Sequence, residues 1–308
     1  MYTLGIDTSN YATSVSIVDG DCHKVIFNSK QFLPVEQGKI GIRQQQALFY
    51  HIKNLTDVFS DFKGPEHIGA VGVSVRPKSD ENSYMPCFLR GKMRAYSIGG
   101  ALGVPVVETS HQTGHLTSAL YYLNDEDLFN RKVLMMHISG GTTDIMLAQS
   151  GNAVETIGSS LDLFAGQAVD RLGVKLGFPF PAGAYVSDLA ANCTENIGGT
   201  KVSVNGTYCN LSGLENQCDK LLKSGFGKEY VCRYCLEFIA ATRIKMIQNA
   251  KKIYGDLPVI MAGGVMSSTV IKEIFKTQMP EAMFVSPEYS RDNGIGVAVN
   301  AYRKLKNG

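Results

Sequence analysis

The 308-residue sequence has no apolar run as long as the roughly 18 to 20 residues that a helix needs to cross a bilayer. It also lacks a strong charge of either sign, because 30 basic and 28 acidic side chains leave a net charge of only +2. Binding to nucleic-acid backbone by overall charge alone is therefore not expected. The amino terminus lacks the basic start and apolar run of a signal peptide. We expect a cytoplasmic protein that makes no membrane contact.

The sequence also lacks the cysteine pattern of a disulfide framework or a zinc finger. Its seven cysteines are an odd and scattered set, which favours reduced thiols. Cys232 and Cys235 form a CxxC, but a zinc site would need a second close pair, and none occurs. The CxxC lies in a stretch with helical apolar spacing. Core-lining thiols are therefore expected there, rather than a metal or redox pair.

Two segments share one design, TLGIDTSNYATSVSIVDGD and VLMMHISGGTTDIMLAQSGN. Each is an apolar run, a short polar turn and a second alternating run, as in a β-hairpin. Strands and helices alternate after both segments, which favours largely parallel sheets covered on both faces. The sequence therefore predicts a duplicated α/β chain. We expect a first domain over 1–125, a second over 126–291, and a closing helix over 292–306 that returns to the first.

Small-residue turns follow several predicted strands. ISGGTTD exposes backbone N–H groups that can cradle phosphate, although Gly-Gly turns also close many ordinary hairpins. Two other turns, IDTSN with Asp7 and Ser9, and MAGGVMSS, strengthen a nucleotide-binding interpretation. Three such turns in this order resemble the actin-like ATPase (ASKHA) superfamily. That resemblance implies two mixed sheets flanked by helices, with the turns lining an interdomain cleft.

The stretch HQTGH places His111 and His115 four residues apart, on one face of a predicted helix. They could share a metal ion or be ordinary core histidines. Gln112 stands where a zinc peptidase of the HExxH type has its glutamate base. Asp292 opens the last predicted helix. If that helix returns to the first domain, the set of two histidines and one carboxylate suits iron(II) or zinc.

Six segments together resemble one family: HQTGH, HISGGTTD, AGQAVDRLGVKLGFPFPAG, NLSGL, MAGGVMSS and SRDNG. Their order is similar to that of the tRNA threonylcarbamoyladenosine synthases, formerly labelled O-sialoglycoprotein endopeptidases, over nearly the whole chain. The resemblance implies that one divalent metal, iron or zinc, is held by His111, His115 and Asp292. It implies nucleotide or substrate contacts by Ser139, Gly140, Gly141, Thr142, Asp170, Gly183, Gly263, Gly264 and Ser268. Asp170 would accept from ribose hydroxyls, or it could pair on a helix surface with Arg171 or Lys175.

The resemblance further implies an activity and its partners. Threonylcarbamoyl would pass from its adenylate to the anticodon-adjacent adenosine of tRNA. ATP, AMP or the acyl-adenylate would be the ligand, and helper subunits would hold tRNA. A protein partner or a homodimer is expected.

Departures from the family pattern indicate a divergent paralogue. Residues 76–91 lack the usual GPG, and residues 10–12 read NYA instead of an acidic turn. Ser268 and Ser187 stand where an asparagine and an aspartate are usual. An alternative function is therefore an actin-like nucleotide-binding partner or regulator without transferase activity. A metallo-glycoprotease, as the old label suggests, has the least support, since no general base is evident.

Overall fold

The computed structural model describes residues 1–9, 11–34, 42–60, 62, 64–80, 82–149, 151, 153–291 and 294–307. The chain packs as two compact units. The first contains Met1–Arg131, Gln149–Val154 and Glu288–Gly308, and the second contains Lys132–Ala148 and Glu155–Pro287. The expected domain boundary between residues 125 and 126 stays a prediction.

The elements follow one another in two similar series. The first series is β1 (Tyr2–Thr8), β2 (Ala12–Asp19), β3 (Lys24–Phe32), α1 (Gln44–Ser60), β4 (Ala70–Arg76), α2 (Phe88–Leu102), β5 (Val106–Ser110), α3 (His111–Leu123) and α4 (Glu126–Asn130). The second begins with β6 (Lys132–Ile138), β7 (Thr143–Gln149), β8 (Ala153–Ser159), α5 (Ala165–Lys175), α6 (Gly183–Ala191), β9 (Ser203–Asn205), β10 (Tyr208–Asn210) and α7 (Ser212–Lys223). It ends with α8 (Lys228–Tyr254), β11 (Val259–Ala262), a 3-10 turn (Gly264–Ser267), α9 (Thr269–Gln278), β12 (Met283–Phe284), α10 (Pro287–Ser290) and α11 (Ile295–Asn307).

The two five-stranded sheets have the same strand order. The first runs β3-β2-β1-β4-β5, and the second runs β8-β7-β6-β11-β12. In the first sheet β1 pairs antiparallel with β2 and parallel with β4. In the second, β11 pairs parallel with both β6 and β12. This repetition confirms the predicted duplicated α/β fold with two mixed sheets, each opened by a strand pair around a small-residue turn.

The carboxyl-terminal helix α11 packs inside the first unit at backbone distance. A Cβ added at Gly296 would lie 1.8 Å from the carbonyl oxygen of Gly114, and one added at Gly5 would lie 2.1 Å from that of Gly294. The Thr117 hydroxyl donates to the Gly296 carbonyl at 2.6 Å. Only glycine allows backbones to approach so closely. The sequence HQTGH therefore includes a helix contact, Gly114, between its two histidines.

The second unit is built around α8, whose buried face includes Cys232 and Cys235. All seven cysteines are free. Burial, followed by the nearby Cys218, raises the pKa of the Cys232 thiol to about 12. These thiols therefore stay protonated and line the core, as their helical spacing predicted. Among the described residues, no helix has the length and apolar character needed to cross a membrane.

Asp162 ties the segment after β8 to the start of α7. Its carboxylate accepts from the N–H groups of Leu163 at 2.6 Å and Leu211 at 2.7 Å. It also accepts from the Ser212 hydroxyl at 2.6 Å. Burial opposes ionisation, but these bonds outweigh it and hold the pKa of Asp162 well below its usual range. The stretch NLSGL is thus fixed by a carboxylate about fifty residues earlier.

We expect Asp162→Ala to destabilise the second unit by about 1–3 kcal/mol, because several hydrogen bonds to a charged group are lost together. The folded pKa lies below the unfolded value of about 3.9. The contribution is therefore complete above that pH and disappears as pH falls below it. Denaturant unfolding at neutral pH and near pH 3 measures both effects. Asp188→Ala, an exposed carboxylate on α6, is the control; equal losses in the two variants at neutral pH would contradict the assignment.

Candidate functional site

Helix α3 begins at His111 because Ser110 caps it. Ser110 has extended backbone angles, and its hydroxyl accepts from the Thr113 N–H at 3.0 Å. Such a cap satisfies one of the free N–H groups at a helix start. His111 therefore occupies the first position of the helix, and His115 lies one turn later on the same face.

The two histidines and Asp7 form one connected cluster in the first unit. Nε2 of His115 lies 3.0 Å from Nε2 of His111. Nδ1 of His111 lies 3.0 Å from Oδ1 of Asp7, at the end of β1. The Asp7 side chain is fully buried, whereas that of His111 is 20% exposed. The two facing nitrogens thus lie close to the surface, and the buried Asp7 carboxyl group contacts one of the two rings.

The cluster fits the metal that the family pattern implies. Two imidazole nitrogens at about 2.1 Å from one ion lie about 3.0 to 3.4 Å apart for angles between about 90 and 110°. The observed separation of 3.0 Å falls in that range. A carboxylate on the other ring nitrogen is the usual support of a metal-binding histidine. Asp292 lies outside the described residues, among which no group of three or more metal-binding side chains occurs.

The altered loop over 76–91 packs against the first turn of α3. The Gln112 N–H donates to the Pro77 carbonyl at 3.0 Å. The Ser79 hydroxyl lies 3.1 Å from that of Ser110 and 3.2 Å from that of Thr113. The loop that departs from the family pattern therefore supports the helix that carries the histidines. Glu81, also in this loop, lies outside the described residues.

Ser9, the other residue predicted in the first turn, has a local role in the structure. It is 2% exposed, and its hydroxyl donates to the Ala12 carbonyl at 3.5 Å. This contact joins the two ends of the hairpin turn. Asn10, where the acidic turn of the family is absent, lies outside the described residues.

In the second unit the turn Ser139–Thr142 is closed by its own backbone. The Ser139 N–H donates to the Thr142 carbonyl at 2.8 Å, and the Gly141 N–H donates to the Ser139 hydroxyl at 3.3 Å. A Cβ added at Gly140 would meet nothing within 4 Å. Among the described residues, the Cβ side of Gly140 therefore faces open space, while its backbone nitrogen packs against Gly166. A ligand contact at this turn stays a prediction.

The second predicted turn, at Gly263 and Gly264, lies against the end of β6, the strand that leads into Ser139–Thr142. Gly263 has φ of 102°, and a Cβ there would lie 2.0 Å from the Ile138 carbonyl oxygen. A side chain at Gly263 is thus excluded both by conformation and by space. Gly264 has nothing within 4 Å of an added Cβ. The structure therefore brings the two turns together in the second unit. Gly263 packs against the strand before the first turn, and Gly264 faces open space among the described residues.

Asp170 connects α5 to the start of α6. Its Oδ1 accepts from the Ala182 N–H at 2.8 Å. Burial raises the pKa of Asp170, while the N–H groups of Ala182 and Gly183 partly offset the rise. The alternative partners, Arg171 and Lys175, pair with other acids, Glu215 and Asp219. Asp170 therefore keeps acceptor capacity for a ligand.

Two positions that depart from the family pattern contact each other. The hydroxyls of Ser187 on α6 and Ser268 lie 2.8 Å apart. Sequence reasoning found both residues but not the contact. It missed Thr143, whose hydroxyl accepts from the Ala165 N–H at 2.9 Å and holds α5 to the turn. It also missed Ser74, which donates to Asp7. Thr143 lies within ISGGTTD, whereas Ser74 belongs to no motif that could have revealed it.

Comparison with known proteins agrees with this arrangement. The family model for TsaD, tRNA N6-adenosine threonylcarbamoyltransferase, matches residues 84–299. A tRNA N6-adenosine threonylcarbamoyltransferase from Pyrobaculum neutrophilum is 25% identical to this chain. The alignment covers 100% of this chain and 90% of that protein. The transferase of the same name from Thermosipho africanus is 24% identical, with 96% of its length covered by all of this chain.

A solved structure supports the fold. The activator of 2-hydroxyisocaproyl-CoA dehydratase from Clostridium difficile, with bound ADPNP, aligns over 100% of this chain and 96% of its own. The TM-score is 0.55 and the identity is 14%. The fold is the duplicated actin-like ATPase fold, and the chain belongs to the TsaD family of tRNA N6-adenosine threonylcarbamoyltransferases.

Proposed function

We propose that this protein transfers a threonylcarbamoyl group from its adenylate to N6 of an adenosine in tRNA. The N6 amine attacks the acyl carbon, the bond from that carbon to the AMP phosphate oxygen breaks, and AMP leaves with the electron pair. The N6 proton passes to solvent. The observation that carries the proposal is the histidine pair on its buried carboxylate, with 3.0 Å between the two Nε2 atoms, in a chain of this family.

The second unit supplies the nucleotide contacts in this proposal. Among the described residues, nothing lies within 4 Å of a Cβ added at Gly140, Gly183 or Gly264, so each leaves room for a ligand on that side. N–H groups in such turns bind phosphate oxygens. The half-buried carboxylate of Asp170 accepts from ribose hydroxyls. Ser139, Gly141 and Thr142 shape the turn, and Gly263 and Ser268 hold the neighbouring one.

The first unit supplies the metal ligands in this proposal. His111 and His115 bind the ion through Nε2, and Asp292 provides the carboxylate. When bound, iron(II) or zinc polarises the acyl carbonyl as a Lewis acid.

Recognition of tRNA depends on partners in this proposal. A net charge of +2 is too small for strong binding to nucleic-acid backbone by charge alone. Helper subunits or a second copy of the chain would hold tRNA, in the cytoplasm. A metallopeptidase function has no support, because the position of the general base is Gln112, whose side chain is nearly buried.

We expect Gly140→Ala to weaken AMP binding at least about tenfold. A methyl group there enters open space where the proposal places the ligand, and a lost contact to phosphate corresponds to about 1.4 kcal/mol or more. Isothermal titration with AMP measures this. Gly198→Ala is the control, because its Cβ would also meet nothing within 4 Å. Equal AMP affinity in the two variants would remove the turn from the binding site.

The transfer itself is tested by single-turnover reaction of the metal-loaded protein with threonylcarbamoyl-adenylate and tRNA, with the helper proteins of the family present. We expect wild type and His67→Gln, an exposed histidine of the first unit, to modify tRNA. His115→Gln should lose the metal and nearly all transfer, since truncation of one ligand opens the site. Wild type that binds AMP and metal but leaves tRNA unmodified would favour the regulator instead.

A further inference from the structure

Asp7 is a fully buried carboxylate with few partners to compensate its charge. Oδ1 accepts from the Ser74 hydroxyl and lies 3.0 Å from Nδ1 of His111. Among the described residues, Oδ2 has no hydrogen-bond partner. Burying a carboxylate is costly unless positive charge or hydrogen bonds offset the cost. The contacts of Oδ1 with Ser74 and His111 offset the cost of burying Asp7 only in part.

The contact with Asp7 decides where His111 carries its proton. Oδ1 of Asp7 already accepts from the Ser74 hydroxyl, and as an acceptor it takes a hydrogen bond from Nδ1–H of His111 as well. In a neutral imidazole the other nitrogen, Nε2, then carries a lone pair. That lone pair is directed at Nε2 of His115, 3.0 Å away. Without metal, the proton between the two rings therefore belongs to His115.

We propose that Asp7 is the positioning residue of the metal site, a role that rests on the metal site of the proposed function. It fixes His111 in the Nδ1–H tautomer and makes its Nε2 a stronger ligand, since a carboxylate on the far nitrogen raises imidazole basicity. A cation on Nε2 in turn offsets the buried charge of Asp7 through the ring. The first strand of the chain thereby tunes a ligand on α3, 104 residues later.

A purely structural role for Asp7 predicts different results. Asp7 and Ser74 join the neighbouring strands β1 and β4 by a buried side-chain bond. If that were its whole function, loss of the carboxylate would lower stability and leave metal affinity unchanged in the folded protein. The two roles are therefore separated by measuring metal affinity, proton position and stability.

The first test uses the unmodified protein without metal. Long-range ¹⁵N–¹H correlation of the imidazoles at pH 8 reports which ring nitrogen carries hydrogen, and loss of signals in His111→Gln assigns the residue. We expect Nδ1–H for His111 and Nε2–H for His115. After zinc is added, both rings should be Nδ1–H. A His111 ring protonated at Nε2 in the metal-free protein would overturn the proposal, whether or not any variant folds.

The second test measures zinc affinity by competition with a chromophoric chelator. Loss of a carboxylate that supports a metal-binding histidine usually costs about 10- to 100-fold in affinity, and we expect that loss for Asp7→Asn. Ser74→Ala, which keeps the carboxylate, should lose less. Asp57→Asn, an exposed carboxylate in the same unit, should match wild type.

The outcomes separate this role from the proposed function. Wild type that binds no zinc would overturn the metal site and the role of Asp7 together. Wild-type affinity in Asp7→Asn, with lower stability, would overturn only the role of Asp7. Loss of zinc affinity in Asp7→Asn with a wild-type melting temperature for the metal-free protein would support it, even if transfer to tRNA is not detected.

Discussion

The close approach of α11 to α3 and β1 is the constraint on which the first unit depends. Gly296 lies on the backbone of Gly114, and Gly294 lies on that of Gly5. No larger residue fits without separating the elements, because a Cβ would overlap a carbonyl oxygen. One helix thus fixes both the strand that ends at Asp7 and the helix that carries the histidines. The contact between Asp7 and His111 therefore depends on residues near the opposite end of the chain.

Much of the fold follows from local pattern. Alternating apolar runs predicted β1, β2, β6 and β7. Helical spacing predicted α8, and the closing helix was also expected. The pattern failed for β3, in which no residue is fully buried. Its one apolar run, VIF, is only three residues long. It also failed for α6, whose start follows a Pro/Gly break and is held by Asp170 from another helix. Contacts distant in sequence decide such elements, and no local signal reports them.

The candidate site divides in the same way. HQTGH predicted a shared face for His111 and His115, but their support by Asp7 lies 104 residues away. Ser187 and Ser268, 81 residues apart, look like two separate losses in the sequence. In the structure their hydroxyls meet at 2.8 Å, so each satisfies the other. A change at one position therefore alters the environment of the other, and the two departures count as one.

Glycine has two opposite roles in the second unit, and only contact geometry separates them. Gly166 and Gly263 pack directly against the backbone of residues 138–140, which fixes the turn that begins at Ser139. Among the described residues, nothing lies on the Cβ side of Gly140 and Gly264, which leaves room there for a ligand. Backbone N–H groups favour phosphate oxygens in general and do not distinguish one nucleotide from another. In the proposed site, selectivity would then come from nearby side chains such as Asp170, Ser187 and Ser268. Since two of these three depart from the family pattern, the proposed site predicts that divergence of this chain affects which ligand is chosen more than whether phosphate can bind.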